Sequence, residues 1–333
     1  MNHLSGRMNK MSNRVAHILG IEKPIIQGPM SWITNAEFVA AVSNAGGLGI
    51  LGPNAGQTTI TTSPKETAER MRREIRKTKE LTDKPFGSTI IVDGDLKYTW
   101  PILEIIIEED VKVVLLNGVE GTLSEKILNP LKEANIKIIY RPLTPTFEDA
   151  KSAQAMGVDV YVVTGFDEGG TLPTSVIGTF AMTPMIVDVL DIPVVSAGGI
   201  GDARGVASAF ALGAEGVFLG SRFIPTIENP AAQSVKQKIV DSSASDLLLY
   251  RTLPAYYRSL STPLVEKLVE MDKQGASREE IASASGGSSA IRIGMLDGIG
   301  EGGIITLGTG ITPIKQIQTV QEVVDELAVG IPQ

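Results

Sequence analysis

The 333-residue chain carries 30 basic and 38 acidic side chains, a net charge of −8, with 43% of its residues hydrophobic, 20% charged and no cysteine. That composition suits a soluble globular protein of one large or two ordinary domains, and it excludes a disulfide framework, a thiolate metal site and a catalytic thiol. The acidic balance, without a run of five like charges, disfavours nucleic acid and anionic membrane as partners. No segment holds the ~18 consecutive apolar residues of a membrane span, and Met1–Gly20 lacks the apolar region of a secretory signal. A cytoplasmic protein acting on a small molecule is expected, with a homodimer as the default assembly. Both histidines, His3 and His17, precede the first expected strand, which leaves the body of the chain without an imidazole for acid–base work or metal binding.

Short apolar runs rich in Val, Ile and Leu recur in chain order: Pro24–Gln27, Leu48–Leu51, Pro85–Val92, Val111–Asn117, Ile136–Arg141, Val158–Gly165, Ile192–Gly198 and Ala214–Gly220. Their starts lie 22 to 37 residues apart, the spacing of strands that are each followed by a crossover helix leading to a parallel neighbour. Near-continuous apolarity marks strands buried on both faces. Eight such units predict an α/β fold of the (β/α)8 type, a TIM barrel.

Helix signals fill the intervals. Thr34 or Asn35 caps a helix running to Ser43 that Gly46 and Gly47 stop. Ser63, Pro64 and Glu66 make a capping-box start for a charged helix to about Lys79, and Thr146 with Glu148 and Asp149 opens the helix before Gly157. After Gly220 strand signals are sparse, and 225–287 reads as an all-helical domain inserted after strand eight. The barrel domain then comprises 1–224 and 288–333, closed by a final helix over Ile311–Ala328. Ser283–Ser289 reads as a flexible connection, and glycine-rich Gly298–Gly310 as a loop held close to another group.

In a TIM barrel the chemistry sits at the carboxyl ends of the strands, and the loops after strands seven and eight form a phosphate site. Strand seven runs into Ser196-Ala197-Gly198-Gly199-Ile200-Gly201, with Asp202 opening a helix, and strand eight into Phe218-Leu219-Gly220-Ser221-Arg222. Glycines let the backbone approach a ligand, N–H groups at a helix start point at an anion, and Ser221 adds a hydroxyl. Such a site suits flavin mononucleotide (FMN), phosphosugars and pyridoxal phosphate alike. Gln27-Gly28-Pro29-Met30-Ser31-Trp32, at the exit of strand one, suits a wall against a flat aromatic ring. No lysine stands at a strand's carboxyl end, Lys84 and Lys112 being at strand starts, which argues against Schiff-base chemistry.

The segments Pro24–Met30, Ser43–Gly49, Lys84–Gly87, Ser196–Ile200, Gly213–Ser221 and Glu301–Gly310 resemble the flavin-dependent nitronate monooxygenases, a family that also includes the flavin-type enoyl-acyl-carrier-protein reductases. The resemblance runs along nearly the whole chain and implies an FMN-bearing barrel with a smaller helical domain over its mouth. Gly28, Pro29 and Met30 match the family segment beside the flavin ring, and Gly198, Gly199, Gly220 and Ser221 match its phosphate-binding backbone. Arg141, Gly170 and Ser196 are further implied cofactor contacts. In the loop after strand three this chain has Thr89 where the family usually has a flavin-contacting asparagine. After strand six the family's Glu-Ala-Gly-Gly-His appears as Asp167-Glu168-Gly169-Gly170-Thr171, which puts threonine at the catalytic histidine position.

That substitution bears on mechanism. A neutral nitroalkane must lose an α-proton to a base, which Thr171 cannot be, whereas a nitronate is already an anion and needs none. Asp167 or Glu168 replaces the base if burial raises its pKa. The leading expectation is oxidation of small alkyl nitronates with oxygen. The alternatives are an enzyme whose flavin is reduced by NADH or NADPH to act on a quinone or enoyl thioester, a flavin-binding protein with little turnover, and a phosphosugar enzyme.

Overall fold

The computed structural model of the protein describes residues 13–92, 95–118 and 123–332. His3 and most of Met1–Gly20 lie outside the described residues. Eight parallel strands form one sheet: β1 (Ile25–Gln27), β2 (Gly49–Leu51), β3 (Phe86–Val92), β4 (Val113–Gly118), β5 (Lys137–Pro142), β6 (Val160–Thr164), β8 (Val194–Ala197) and β9 (Gly216–Leu219). β7 (Gly170–Leu172) belongs elsewhere. The order β1-β9-β8-β6-β5-β4-β3-β2 closes into a ring through Leu48, whose N–H donates to the Ile25 carbonyl and whose carbonyl accepts from Gln27 N–H, each at 2.9 Å. Each of the eight apolar runs matches one of these strands, β4 and β5 extending one residue beyond theirs, and the chain folds as a (β/α)8 barrel.

Alternation along the strands explains why the runs are apolar throughout. Val113, Leu115, Val160 and Val162 belong to the cluster that fills the barrel, with Ile26, Ile50 and Phe218. Their neighbours Val114, Leu116, Tyr161 and Val163 pack outward with residues of the surrounding helices, such as Ile75, Ile106 and Leu128. Burying a polar group without a partner is costly, so most strand positions on both faces are hydrocarbon, and buried polar exceptions such as Gln27, Thr89 and Ser196 are hydrogen-bonded.

The outer layer includes α2 (Ala36–Asn44), α3 (Pro64–Leu81), α4 (Thr99–Glu108), α5 (Glu125–Glu133), α6 (Phe147–Ala155), α7 (Thr179–Val187) and α8 (Ala203–Ala211), whereas α1 (Arg14–Leu19) places Val15 and Leu19 in the cluster that fills the barrel. The expected caps are in place: Asn35, Ser63, Thr146 and Asp202 each accept from an N–H of the following first turn. A further cap comes from a distance. The buried Glu74 of α3 accepts the Ala36 N–H at 2.9 Å, and Gly56 leaves room for its carboxylate, since a Cβ there would lie 2.1 Å from Oε1. Glu74→Ala would strand that N–H in the interior and is expected to cost about 1–3 kcal/mol in urea unfolding.

The stretch 225–287 corrects the all-helical expectation. It holds α9 (Gln233–Val240), α10 (Pro263–Lys273), α11 (Arg278–Ala284) and the first residue of α12 (Gly287–Met295), but also the hairpin strands β10 (Leu247–Arg251) and β11 (Tyr256–Leu260). β11 pairs antiparallel with β7 from the loop after β6 and with β12 (Ile305–Thr306) from the glycine-rich segment, making a second, four-stranded sheet. This sheet draws the two loops singled out for chemistry against the hairpin. Ser283–Ser289 is the junction of α11 and α12, not a loose connection, and is pinned by the buried Trp32, whose indole N–H donates to the Ser288 carbonyl at 2.9 Å. The last helix, α13 (Val320–Ala328), starts nine residues later than expected, after a single 3-10 turn at Thr309–Ile311.

Candidate active site

A cavity of about 630 Å³ opens at the carboxyl ends of the barrel strands, beneath the second sheet and α12. Its walls include Gly28, Pro29 and Met30 after β1, Gly198 and Gly199 after β8, and Gly220 and Ser221 after β9. Arg141 at the end of β5, and Glu168, Gly170 and Thr171 after β6, line it too. The structure thus gathers most of the expected site residues around one space, a size typical of small-molecule sites.

The glycine turns are conformational requirements. Gly198 and Gly199 have φ of +101° and +73°, a left-handed backbone that other residues adopt only at a cost. The segment 308–310 holds both turns together. Gly308 N–H donates to the Ser221 hydroxyl oxygen at 2.8 Å, and Gly310 packs so tightly on the other turn that a Cβ there would lie 2.9 Å from the Gly199 carbonyl group. The N–H groups of Gly199 and Gly220 donate to no acceptor among the described residues. Ser221 retains its hydroxyl proton for donation. These free donors on adjoining turns have the chemistry of a phosphate nest. One wall is flat and apolar: Phe218 lies where a Cβ on Gly28 would come within 2.5 Å of its ring, and Met30 Sδ stands against Gly220. The residues present therefore fit FMN, with its phosphate at the glycine turns and its ring along Phe218 and Met30.

Three expected residues are placed differently. The Ser196 hydroxyl is fully buried and shares a 2.8 Å hydrogen bond with Thr183 of α7, so it supports the turn from behind. Asp167 Oδ2 accepts the Thr179 N–H at 2.7 Å at the start of α7, and its carbonyl accepts from Thr309, so it ties the loop down rather than facing the cavity. Thr89 lines a neighbouring recess. Its hydroxyl accepts from Asn117 Nδ2 at 2.7 Å, and Asn117, one strand over at the end of β4, reaches the main cavity in its place.

Among the described residues, Glu168 is the one carboxylate on the cavity wall. It pairs with the Arg141 guanidinium through Oε2, and the two side chains are only 12% and 18% exposed. Oε1 of Glu168 and Nε of Arg141 are buried without a hydrogen-bond partner. Burial pushes the Glu168 carboxyl up to about 7, against the opposing pull of Arg141 and Arg258. Arg141 also lies over the Phe218 ring, 5.6 Å from its centre. Two residues of β11, unforeseen in the sequence, complete this corner. Arg258 donates to the Phe166 and Glu168 carbonyls at 2.6 Å each, fixing the loop, and Tyr257 lines the cavity opposite Thr171. Burial pushes the Tyr257 phenol up to about 12, so its hydroxyl, bonded to Thr306 at 2.7 Å, stays neutral.

The family match covers residues 12–330 and carries the description nitronate monooxygenase. The chain belongs to the nitronate monooxygenase family. Among its family relatives, a probable nitronate monooxygenase from Staphylococcus saprophyticus is 31% identical over 80% of this chain and 83% of its own. The (3aS,4S,5R,7aS)-5-hydroxy-7a-methyl-1-oxo-octahydro-1H-indene-4-carboxyl-CoA dehydrogenase of Rhodococcus jostii is 33% identical over 84% of this chain and 74% of that protein. The solved structure of FabK from Thermotoga maritima superposes with a TM-score of 0.82 at 31% identity, covering 95% of each chain. Membership of the nitronate monooxygenase family marks the chain as an oxidoreductase, and no helix among the described residues is long and apolar enough to cross a membrane.

Proposed function

We propose that the protein is an FMN-dependent oxidoreductase of the nitronate monooxygenase type that oxidises small alkyl nitronates with oxygen. The observation that carries this reading is the composition of the cavity: a nest of free amides on glycine turns, an apolar wall, and a buried guanidinium. Bound there, FMN supplies the electron acceptor and the centre at which oxygen is reduced. The rest falls to the chain. Gly199, Gly220 and Ser221 hold a phosphate dianion, Gly28, Pro29 and Met30 flank the ring, and Arg141 offers to an anionic substrate the only guanidinium that the described residues place on the cavity wall. Thr171 presents no basic nitrogen, so a neutral nitroalkane finds no base at that position, while a nitronate needs none. Residues 225–287 act as the lid domain, with Tyr257 closing the mouth against water. A cytoplasmic location and a homodimer belong to the same proposal.

Anaerobic addition of propionate 3-nitronate to the holoprotein is expected to bleach the flavin absorbance, and NADH or NADPH is not. Bleaching by a nicotinamide alone would replace this reading with a reductase acting on a thioester. Two observations favour that second reading: the name of the Rhodococcus relative, and the recess of about 220 Å³ that shares Pro53 and Ile91 with the main cavity and gives room for a longer tail.

A further inference from the structure

The Arg141–Glu168 pair is unusual among the ion pairs of this protein because it is enclosed in a cavity and each partner keeps an unsatisfied atom there. Glu168 Oε1 and Arg141 Nε are both buried without hydrogen-bond partners, and a desolvated charge so placed is held at a cost that a ligand can relieve. Arg141 is otherwise only loosely held, by a 3.4 Å contact from Nη1 to Asn117 Oδ1 and by the face of Phe218. Arg258, by contrast, does not line the cavity, and its Nη1 is committed to two carbonyls that fix the loop.

We infer that Arg141 and Glu168 form a proton-coupled anion switch, in which a small organic anion takes the place of the Glu168 carboxylate on Arg141 while Glu168 takes up one proton from solvent. The charge balance requires this. Before binding, one guanidinium is matched by one carboxylate in the cavity. After binding, an ionised Glu168 would stand beside a second anion in a space of low polarity, with Arg141 already occupied. Among the described groups that face Glu168, Arg258 on β11 also favours the ionised form, but burial outweighs it even with Arg141 in place, Tyr257 on β11 is neutral, Asn117 on β4 is uncharged, and Asp167 beside it adds negative charge. Because the carboxyl of the free protein titrates near 7, protonation accompanies binding only above that pH. Affinity is then flat below about pH 7 and falls by up to tenfold per pH unit above it. The inference deepens the proposed function: the substrate seats one singly charged anionic group on Arg141, and Glu168 is a positioning and charge-balancing residue that is neutral once the substrate is seated.

The test uses the FMN-loaded protein and propionate, a carboxylate that cannot be oxidised as a nitronate is. Calorimetry at about pH 8 in two buffers of different ionisation heat is expected to show close to one proton taken up per propionate bound. Glu168→Gln, with unchanged flavin content, is expected to bind propionate without proton uptake and with a pH-independent Kd. Arg141→Gln is expected to lose the binding. Absence of proton uptake in the unaltered protein, a Glu168→Gln variant that keeps it, undiminished binding by Arg141→Gln, or no propionate binding at pH 6 would each overturn the switch. Failure of nitronates to bleach the flavin would overturn the proposed reaction and leave these binding results standing, so the two are separable.

Discussion

Histidine in place of Thr171 is expected to raise kcat/KM for a neutral nitroalkane such as nitroethane by about a hundredfold or more, since a positioned general base is worth roughly 10²–10⁴. The position is fixed by structure: residue 171 is the middle of β7, held opposite Tyr257 by the β7–β11 pairing, and it lines the cavity. A side chain there projects from a strand, which constrains an introduced imidazole better than a free loop would. Turnover of a preformed nitronate should change little, because that substrate has no proton to lose. The nitroalkane rate should also acquire an acidic limb, rising with pH through the ordinary histidine pKa of about 6.5. Steady-state kinetics with nitroethane and its nitronate across pH separate these effects. Unchanged nitroalkane turnover would show that residue 171 does not stand where the α-proton is removed.

Valine in place of Gly199 is expected to yield folded protein that has lost its flavin. The backbone there has φ +73°, and a Cβ would lie 3.0 Å from Asp167 Cβ and 3.2 Å from Thr309 Oγ1. A β-branched side chain resists this conformation, and relief requires the turn to rotate, which swings the free N–H away from the nest. Losing that charge-assisted hydrogen bond, worth roughly 1.5–3 kcal/mol, weakens FMN binding about ten- to a hundredfold. The flavin-to-protein ratio after denaturation, with far-ultraviolet circular dichroism as the folding control, measures it.

The barrel was legible in the sequence because its strands are buried on both faces and so announce themselves as continuous apolar runs. The second sheet was not. β7 and β12 are three and two residues long, Gly-Thr-Leu and Ile-Thr, too short to show a period, and Leu247–Arg251 is an apolar run that reads equally as one turn of helix. Tyr257 and Arg258 were missed with it, since nothing local indicated that their strand folds back over the barrel mouth. Asn117 did leave a signal, a polar residue ending an apolar strand, but the family resemblance points to the third strand for its asparagine. The loop Asp167–Thr171 was legible as a departure from the family, yet its two acids could not be told apart. Which one caps α7 and which faces the cavity depends on the arrival of Thr179 and Arg141 from distant segments.

The proposed function rests on the turns after β8 and β9 binding the phosphate of FMN. Titrating flavin-free protein with FMN and with riboflavin, followed by quenching of flavin fluorescence, tests it most directly, because the two ligands share the ring and differ in the phosphate. The account predicts one equivalent of FMN bound at least about a hundredfold more tightly than riboflavin. Equal affinities, or no quenching by either, would contradict it.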